Sequence, residues 1–296
     1  MSIPSLKIIG ERINPGFAKS KAMLDGGDIS GLQELARSQT AKGCDYLTIN
    51  IGDRAERDSG FLVDVIQAVQ AVSHLPLSFD YPNRAVQEIC LKAWQPAKAQ
   101  GRKPIVNSIS ELRWDMLDVL KITAAKVVLM ASERMEDGQP VPNETPTEIA
   151  STVHRMVHNI LSNGYGLGPE DLFVDVSLTP IAMDTNGLVR RAIEAIRLIG
   201  ADADLRGIHL VVGLSNLGIM LPKVAVDGSP LPVKIESAFL TLTMPHGLDT
   251  VLGTPGRDYR ILPPDDFVLQ GFQQAIALEG FDTLERVRRL YQRDEG

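Results

Sequence analysis

Ile208-His209-Leu210-Val211-Val212-Gly213-Leu214-Ser215-Asn216 is the stretch that decides the fold. Apolar, partly β-branched residues run into a glycine and then into two small polar side chains. A near-continuous apolar run of this kind reads as a strand buried on both faces, the environment of a parallel sheet covered by helices. Gly213 allows a tight turn, which leaves Ser215 and Asn216 at the carboxyl end of the strand.

Seven other short apolar runs share this character, at residues 6–10, 46–51, 75–80, 104–107, 126–130, 172–176 and, more weakly, 250–253. Helical patterns lie between them, at 28–43, 60–73, 83–100, 112–122, 145–163, 188–199 and 238–244. The first is representative: Asp28 caps it, Leu32, Leu35 and Ala36 make its stripe, and Gly43 stops it. Two more helices, 264–279 and 283–293, close the chain. Residues 133–142 read as a polar loop punctuated by Gly and Pro.

Eight strands alternating with helices predict an α/β fold with a parallel sheet. The alternation never reverses, so a closed (β/α)8 TIM barrel forming one domain over residues 1–296 is expected. A doubly wound open sheet is the alternative. A hydrophobic content of 44% and a charged content of 23% suit a globular enzyme. The net charge of −7 argues against a general nucleic-acid binder. The two cysteines, Cys44 and Cys90, provide no disulfide framework and no Cys-rich zinc site, which fits a cytoplasmic protein. The opening residues lack a signal core, and no apolar run approaches a membrane span.

Chemistry in such barrels sits at the carboxyl ends of the strands. Those ends carry Glu11, Asn50, Asp80, Asn107, Asp175 and Asn216, with Ser215 beside the last. Carboxylates and amides together accept from ring N–H and amino groups and donate to ring nitrogens and carbonyls. A flat heterocycle with an amidine-like edge needs that mixture. A phosphate would call for glycine-rich loops and basic residues, and a hard metal for clustered carboxylates. Each Asp or Asn is also a candidate helix cap, Asn50 and Asp80 above all.

The ordered motifs Ile9-Gly10-Glu11-Arg12-Ile13-Asn14, Asn50-Ile51-Gly52, Asp80, Asn107-Ser108, Val174-Asp175 and Gly213-Leu214-Ser215-Asn216 resemble the pterin-binding barrels. More closely, the chain is similar to the methyltetrahydrofolate:corrinoid methyltransferases and the folate domain of cobalamin-dependent methionine synthase, over about residues 6–253. The resemblance implies methyl transfer between N5 of tetrahydrofolate and the cobalt of a corrinoid. Asp80, Asn107 and Asp175 match the residues that bond the pterin ring, and Asn216 matches the catalytic asparagine that reaches N5. Glu11, Asn50 and Ser215 are placed with them as candidate pterin-binding residues. 5-Methyltetrahydrofolate is then a substrate, and cobalamin arrives on a partner corrinoid protein, because the chain has no corrinoid-binding Asp-x-His-x-x-Gly signature. No protein-bound metal is expected, and a homodimer is implied.

One segment departs from the family. Residues 223–232, Lys-Val-Ala-Val-Asp-Gly-Ser-Pro-Leu-Pro, look like an insertion, expected to be a mobile flap, and Glu236 follows where Asn would stand. Two alternatives stay open. The first is a dihydropteroate synthase-like enzyme, although Val-Ser-Leu-Thr-Pro after Asp175 lacks that enzyme's glycine-rich, lysine-bearing loop. The second is a pterin-binding subunit without catalysis. His154 and His158 have zinc-like spacing but no nearby third ligand. Leu217 replaces the second glycine of a nucleophile elbow, and Gly164 to Pro169 follows a helix rather than a strand, which disfavours a dinucleotide site. Arg286, Arg288, Arg289 and Arg293 read as a solvated helix face.

Overall fold

Alternation along each strand decides which side chains enter the centre of the molecule, and the computed structural model, which describes residues 3–292, shows the outcome. Its strands are β1 (Lys7–Gly10), β2 (Tyr46–Ile49), β3 (Leu77–Asp80), β4 (Ile105–Ile109), β5 (Lys126–Met130), β6 (Glu133–Glu136), β7 (Gln139–Pro142), β8 (Leu172–Asp175), β9 (His209–Gly213) and β10 (Leu248–Gly253). Eight of them pair in parallel and close into a barrel in the order β1-β10-β9-β8-β5-β4-β3-β2. The (β/α)8 architecture is therefore the one the sequence predicts, and the open sheet is set aside.

Ile9, Ile105, Val128, Phe173 and Val211 form a separate apolar cluster, with Tyr46 and Leu252 against it. They come from neighbouring strands and fill the barrel interior. The larger cluster, including Leu47, Phe79, Val127, Val174 and Val212, joins the outer faces of the strands to the helices. This explains the continuous apolar runs: the barrel strands are buried on both faces. The pleat has a period of two, so the residues following Ile9, Ile105 and Phe173 on the inner face are Glu11, Asn107 and Asp175. The interior packing thus aims those three side chains into the carboxyl-terminal mouth.

The helices are α1 (Ala18–Gly26), α2 (Ile29–Ala41), α3 (Arg54–Arg57), α4 (Ser59–Gln70), α5 (Arg84–Ala93), α6 (Pro146–Ser162), α7 (Leu188–Ala201), α8 (Leu231–Thr243), α9 (Phe267–Ile276) and α10 (Gly280–Arg288). Asp28 caps α2 by accepting from the Gly31 N–H, as expected from the sequence. Thr145 and Glu148 form a capping box on α6. Near the end of α7, a side-chain Cβ at Gly200 would sit 1.9 Å from the His246 carbonyl oxygen. Gly200→Ala therefore forces this helix from its neighbour. A destabilisation of about 1–3 kcal/mol, read as a lowered denaturant midpoint, is expected.

Four local readings are corrected or refined. The polar loop at 133–142 is a β6–β7 hairpin whose Asp137 and Gly138 both have positive φ, as an Asp-Gly type I′ turn requires. The helical stretch expected at 112–122 is a 3-10 helix over Trp114–Lys121. The helix expected from 238 starts at Leu231, because Pro232 is tolerated in a first turn and Leu231 is fully buried. Part of the supposed insertion is therefore helix. The rest is a turn closed on itself: Val224 pairs with Pro230, Asp227 accepts from the Ser229 N–H and hydroxyl, and the Val226 N–H donates to the Leu290 carbonyl. Arg293 lies outside the described residues, as do Met1 and Ser2. No helix among the described residues is long and apolar enough to cross a membrane.

Candidate functional site

The strand-end residues form two groups at one mouth. Asp80 and Asn107 are register partners on β3 and β4, and Asp175 ends β8 beside Met130 of β5. Asn50 follows β2, and its amide nitrogen donates to Asp80 Oδ2 at 3.0 Å. Its Oδ1 accepts from the Gly52 N–H at 2.8 Å. Asp175 Oδ1 accepts from the Ser177 N–H at 2.8 Å, with Ser177 in the left-handed region. None of these is a helix cap. Asp53, Asp58 and Asn83 occupy the cap positions of α3, α4 and α5, so the strand-end polar groups are left to face the mouth.

A second layer holds these strand ends in place. The buried Gln87 amide donates to the carbonyls of Phe79, Tyr81 and Asn107 at 2.8, 3.0 and 3.2 Å. The Tyr81 hydroxyl accepts from the Ile51 N–H at 2.8 Å. Three strand tops are thereby tied to side chains behind them, which is the support a binding constellation needs.

Electrostatics set the two carboxylates apart from surface ones. Burial pushes the Asp175 carboxyl up to about 6; the Ser177 N–H opposes this and the negative field of Asp80 adds to it. Burial raises Asp80 as well, opposed by the Asn50 amide. A carboxylate held in this way gains most from a ligand that brings N–H donors, because donors restore what desolvation removed.

Opposite this group, a cavity of about 380 Å³ opens between the ends of β1, β9 and β10. Glu11, Asn14, Ser215, Asn216, Glu236 and Arg257 supply its polar lining. Ser215 and Asn216 sit on a 3-10 turn, Leu214–Gly218, that follows β9. Glu11 accepts from the Ser215 hydroxyl at 2.6 Å and from the Thr254 hydroxyl at 2.7 Å, which pins that turn to the end of β1. Asn216 is exposed and lines the cavity, and its amide nitrogen donates to the Leu178 carbonyl at 3.3 Å. Gly213 makes room for it: a Cβ there would stand 2.9 Å from the Asn216 amide nitrogen.

The sequence reading missed Glu236, Thr254, Arg257 and Tyr259. Treating the weak last strand like the others and reading its carboxyl end would have found Thr254. Glu236 is fully buried and hydrogen-bonded by the Arg257 guanidinium, with the Tyr259 ring beside it. No group of three or more His, Cys, Asp or Glu among the described residues could hold a metal ion, and His154 instead lies 3.7 Å from Asp204.

A model of pterin binding enzymes matches residues 18–252, which spans every strand of the barrel but the first. The chain belongs to the pterin binding enzyme family. Within the family, the methylcorrinoid:tetrahydrofolate methyltransferase of Eubacterium limosum is 25% identical over 257 residues, covering 84% of each chain. Among solved structures, dihydropteroate synthase from Thermus thermophilus in complex with 6HMPPP superposes with a TM-score of 0.57 at 18% identity, covering 92% of this chain and 94% of that one. Dihydropteroate synthase from Clostridium difficile gives a TM-score of 0.58 at 18% identity, with coverage of 86% and 92%. At that identity the structural likeness establishes the pterin-binding barrel fold and nothing finer.

Proposed function

We propose that this pterin-binding enzyme moves a methyl group between N5 of tetrahydrofolate and a corrinoid carried by a partner protein, with residues 1–296 acting as one catalytic unit. The observation that carries this reading is the pairing of a donor–acceptor wall, Asp80, Asn107 and Asp175, with Asn216 across one mouth. The wall fits the amidine edge of a pterin: carboxylates accept from the ring N–H and amino group, and the Asn107 amide donates to a ring acceptor. Asn50 orients Asp80, and Glu11 with Ser215 fixes the turn that carries Asn216.

A methyl group on a tertiary amine is poorly transferred until the nitrogen is protonated. The Asn216 carbonyl oxygen accepts from that N5 proton as positive charge settles there, an interaction stronger in the transition state than in the ground state. The corrinoid, when bound, supplies a cobalt able to accept or release the methyl group. The exposed apolar side chains of Ile219 and Met220 beside the cavity suit a protein partner docking there. A homodimer in the cytoplasm completes the proposal.

Dihydropteroate synthesis is the weaker reading. The segment from Val176 to Gly187 after β8 contains no Lys or Arg to serve the diphosphate of such a substrate. Titration calorimetry, run beside an assay for dihydropteroate, separates the two. Binding of 5-methyltetrahydrofolate in the micromolar range, without turnover of a pterin diphosphate and 4-aminobenzoate, supports methyl transfer. Formation of dihydropteroate from those two compounds overturns it.

A further inference from the structure

Glu236 is 0% exposed, yet it lines the cavity that holds Asn216 and Glu11. It reaches the cavity from α8, whose first turn packs on the Leu214–Gly218 turn: a Cβ at Gly218 would lie 3.1 Å from Pro232 and 3.5 Å from Glu236 Oε1. Arg257 donates to Oε1, and the Tyr259 hydroxyl stands beside the buried carboxylate as a second donor. That hydroxyl is itself buried with no other partner among the described residues. Arg257 and Tyr259 face Glu236 from the segment after β10, and Glu11 faces it from the end of β1. On α8 itself, Lys234 is engaged by Asp266 at the start of α9.

A carboxylate buried this completely is costly to keep. Arg257 and Tyr259 hold it in place, and it still lines the cavity that holds Asn216. Asn216 itself cannot protonate N5, since an amide hydrogen-bonds but gives up no proton near neutrality, and the wall's carboxylates are taken by the pterin edge. We propose that Glu236 is the proton carrier of the site, giving a proton to N5 of bound methyltetrahydrofolate and taking it back when the methyl group moves the other way. The inference rests on the folate reading given under Proposed function.

In the demethylating direction, a proton passes from the Glu236 carboxyl to N5. The N5–methyl bond then breaks, its electron pair stays on N5, and the corrinoid's cobalt supplies the pair for the new bond to carbon. Tetrahydrofolate leaves with N5–H, and Glu236, now a carboxylate, regains a proton from solvent. In the opposite direction, N5 uses its lone pair to take the methyl group and returns its proton to the Glu236 carboxylate. Burial pushes the Glu236 carboxyl up to about 7, against Arg257, so both protonation states are populated near neutrality.

The test reads protons on binding and needs no corrinoid. Binding of 5-methyltetrahydrofolate to the full chain is followed by calorimetry in buffers of high and low ionisation enthalpy between pH 6.5 and 8.5. The unaltered chain is expected to take up a fraction of a proton. Glu236→Gln, nearly isosteric, is expected to bind within about threefold of the parent and to take up none. Arg257→Gln removes the cation that holds Glu236 down, so the half-point of uptake is expected to move about one pH unit upward. Uptake by Glu236→Gln equal to that of the parent, or an unmoved half-point in Arg257→Gln, overturns the proposal and leaves the folate reading intact. Absence of binding by the unaltered chain overturns both.

Discussion

Asp175→Asn is expected to weaken folate binding by about 10²-fold at pH 8 while making the protein more stable. The carboxylate is proposed to accept two N–H bonds from the pterin edge, and losing the charge from such a pair costs about 3 kcal/mol. The amide also turns an N–H of its own toward the ring's donors. The gain in stability follows from the titration. The carboxyl ionises near 3.9 in an unfolded chain and at about 6 in the folded one. The folded state therefore binds the proton more tightly, and ionisation penalises it. That penalty is full above about pH 6 and vanishes below about pH 4, and two pK units correspond to roughly 2–3 kcal/mol. Asn keeps an oxygen for the Ser177 N–H and carries no such penalty. Denaturant melts should show the variant ahead of the parent at pH 8 and level with it at pH 4. The same titration predicts that folate affinity in the parent falls about tenfold per pH unit below pH 6, as protonation removes an acceptor.

The second large effect belongs to Asn216. Asn216→Ala is expected to slow methyl transfer by about 10²-fold or more and to change folate affinity by less than about threefold. The two outcomes separate because the N5 proton is present only on the way to the transition state. Stability should change little, since the side chain is exposed and its hydrogen bond to the Leu178 carbonyl is a 3.3 Å one. Equal losses in affinity and rate would mean that Asn216 merely helps to hold the ring.

How far the sequence discloses this site depends on the kind of contact. Strands buried on both faces announce themselves as apolar runs, and a polar residue at the end of such a run has a fixed direction. Glu11, Asn107 and Asp175 were legible because each lies two positions beyond an interior residue of its strand. The β6–β7 hairpin was less so: Pro140 and Pro142 speak against a strand, while Asp137-Gly138 speaks for the turn. Glu236 was visible only as a departure from its relatives. What makes it a site residue is Arg257, 21 positions on and brought to it by the closing strand of the barrel. No local pattern encodes such a pairing. The segment at 223–232 misled in the opposite sense, because Asp-Gly and two prolines suggest a flap, while Ala225 is buried and the turn is bonded to the carbonyl of Leu290.

The most direct test of the central claim is to mix the protein with 5-methyltetrahydrofolate and reduced cobalamin and follow the Co(I) absorbance. Rapid loss is predicted with the parent chain, and loss about 10²-fold slower with Asn216→Ala. Absorbance that stays constant at protein concentrations saturating the folate, with free cobalamin and with corrinoid protein alike, would contradict it.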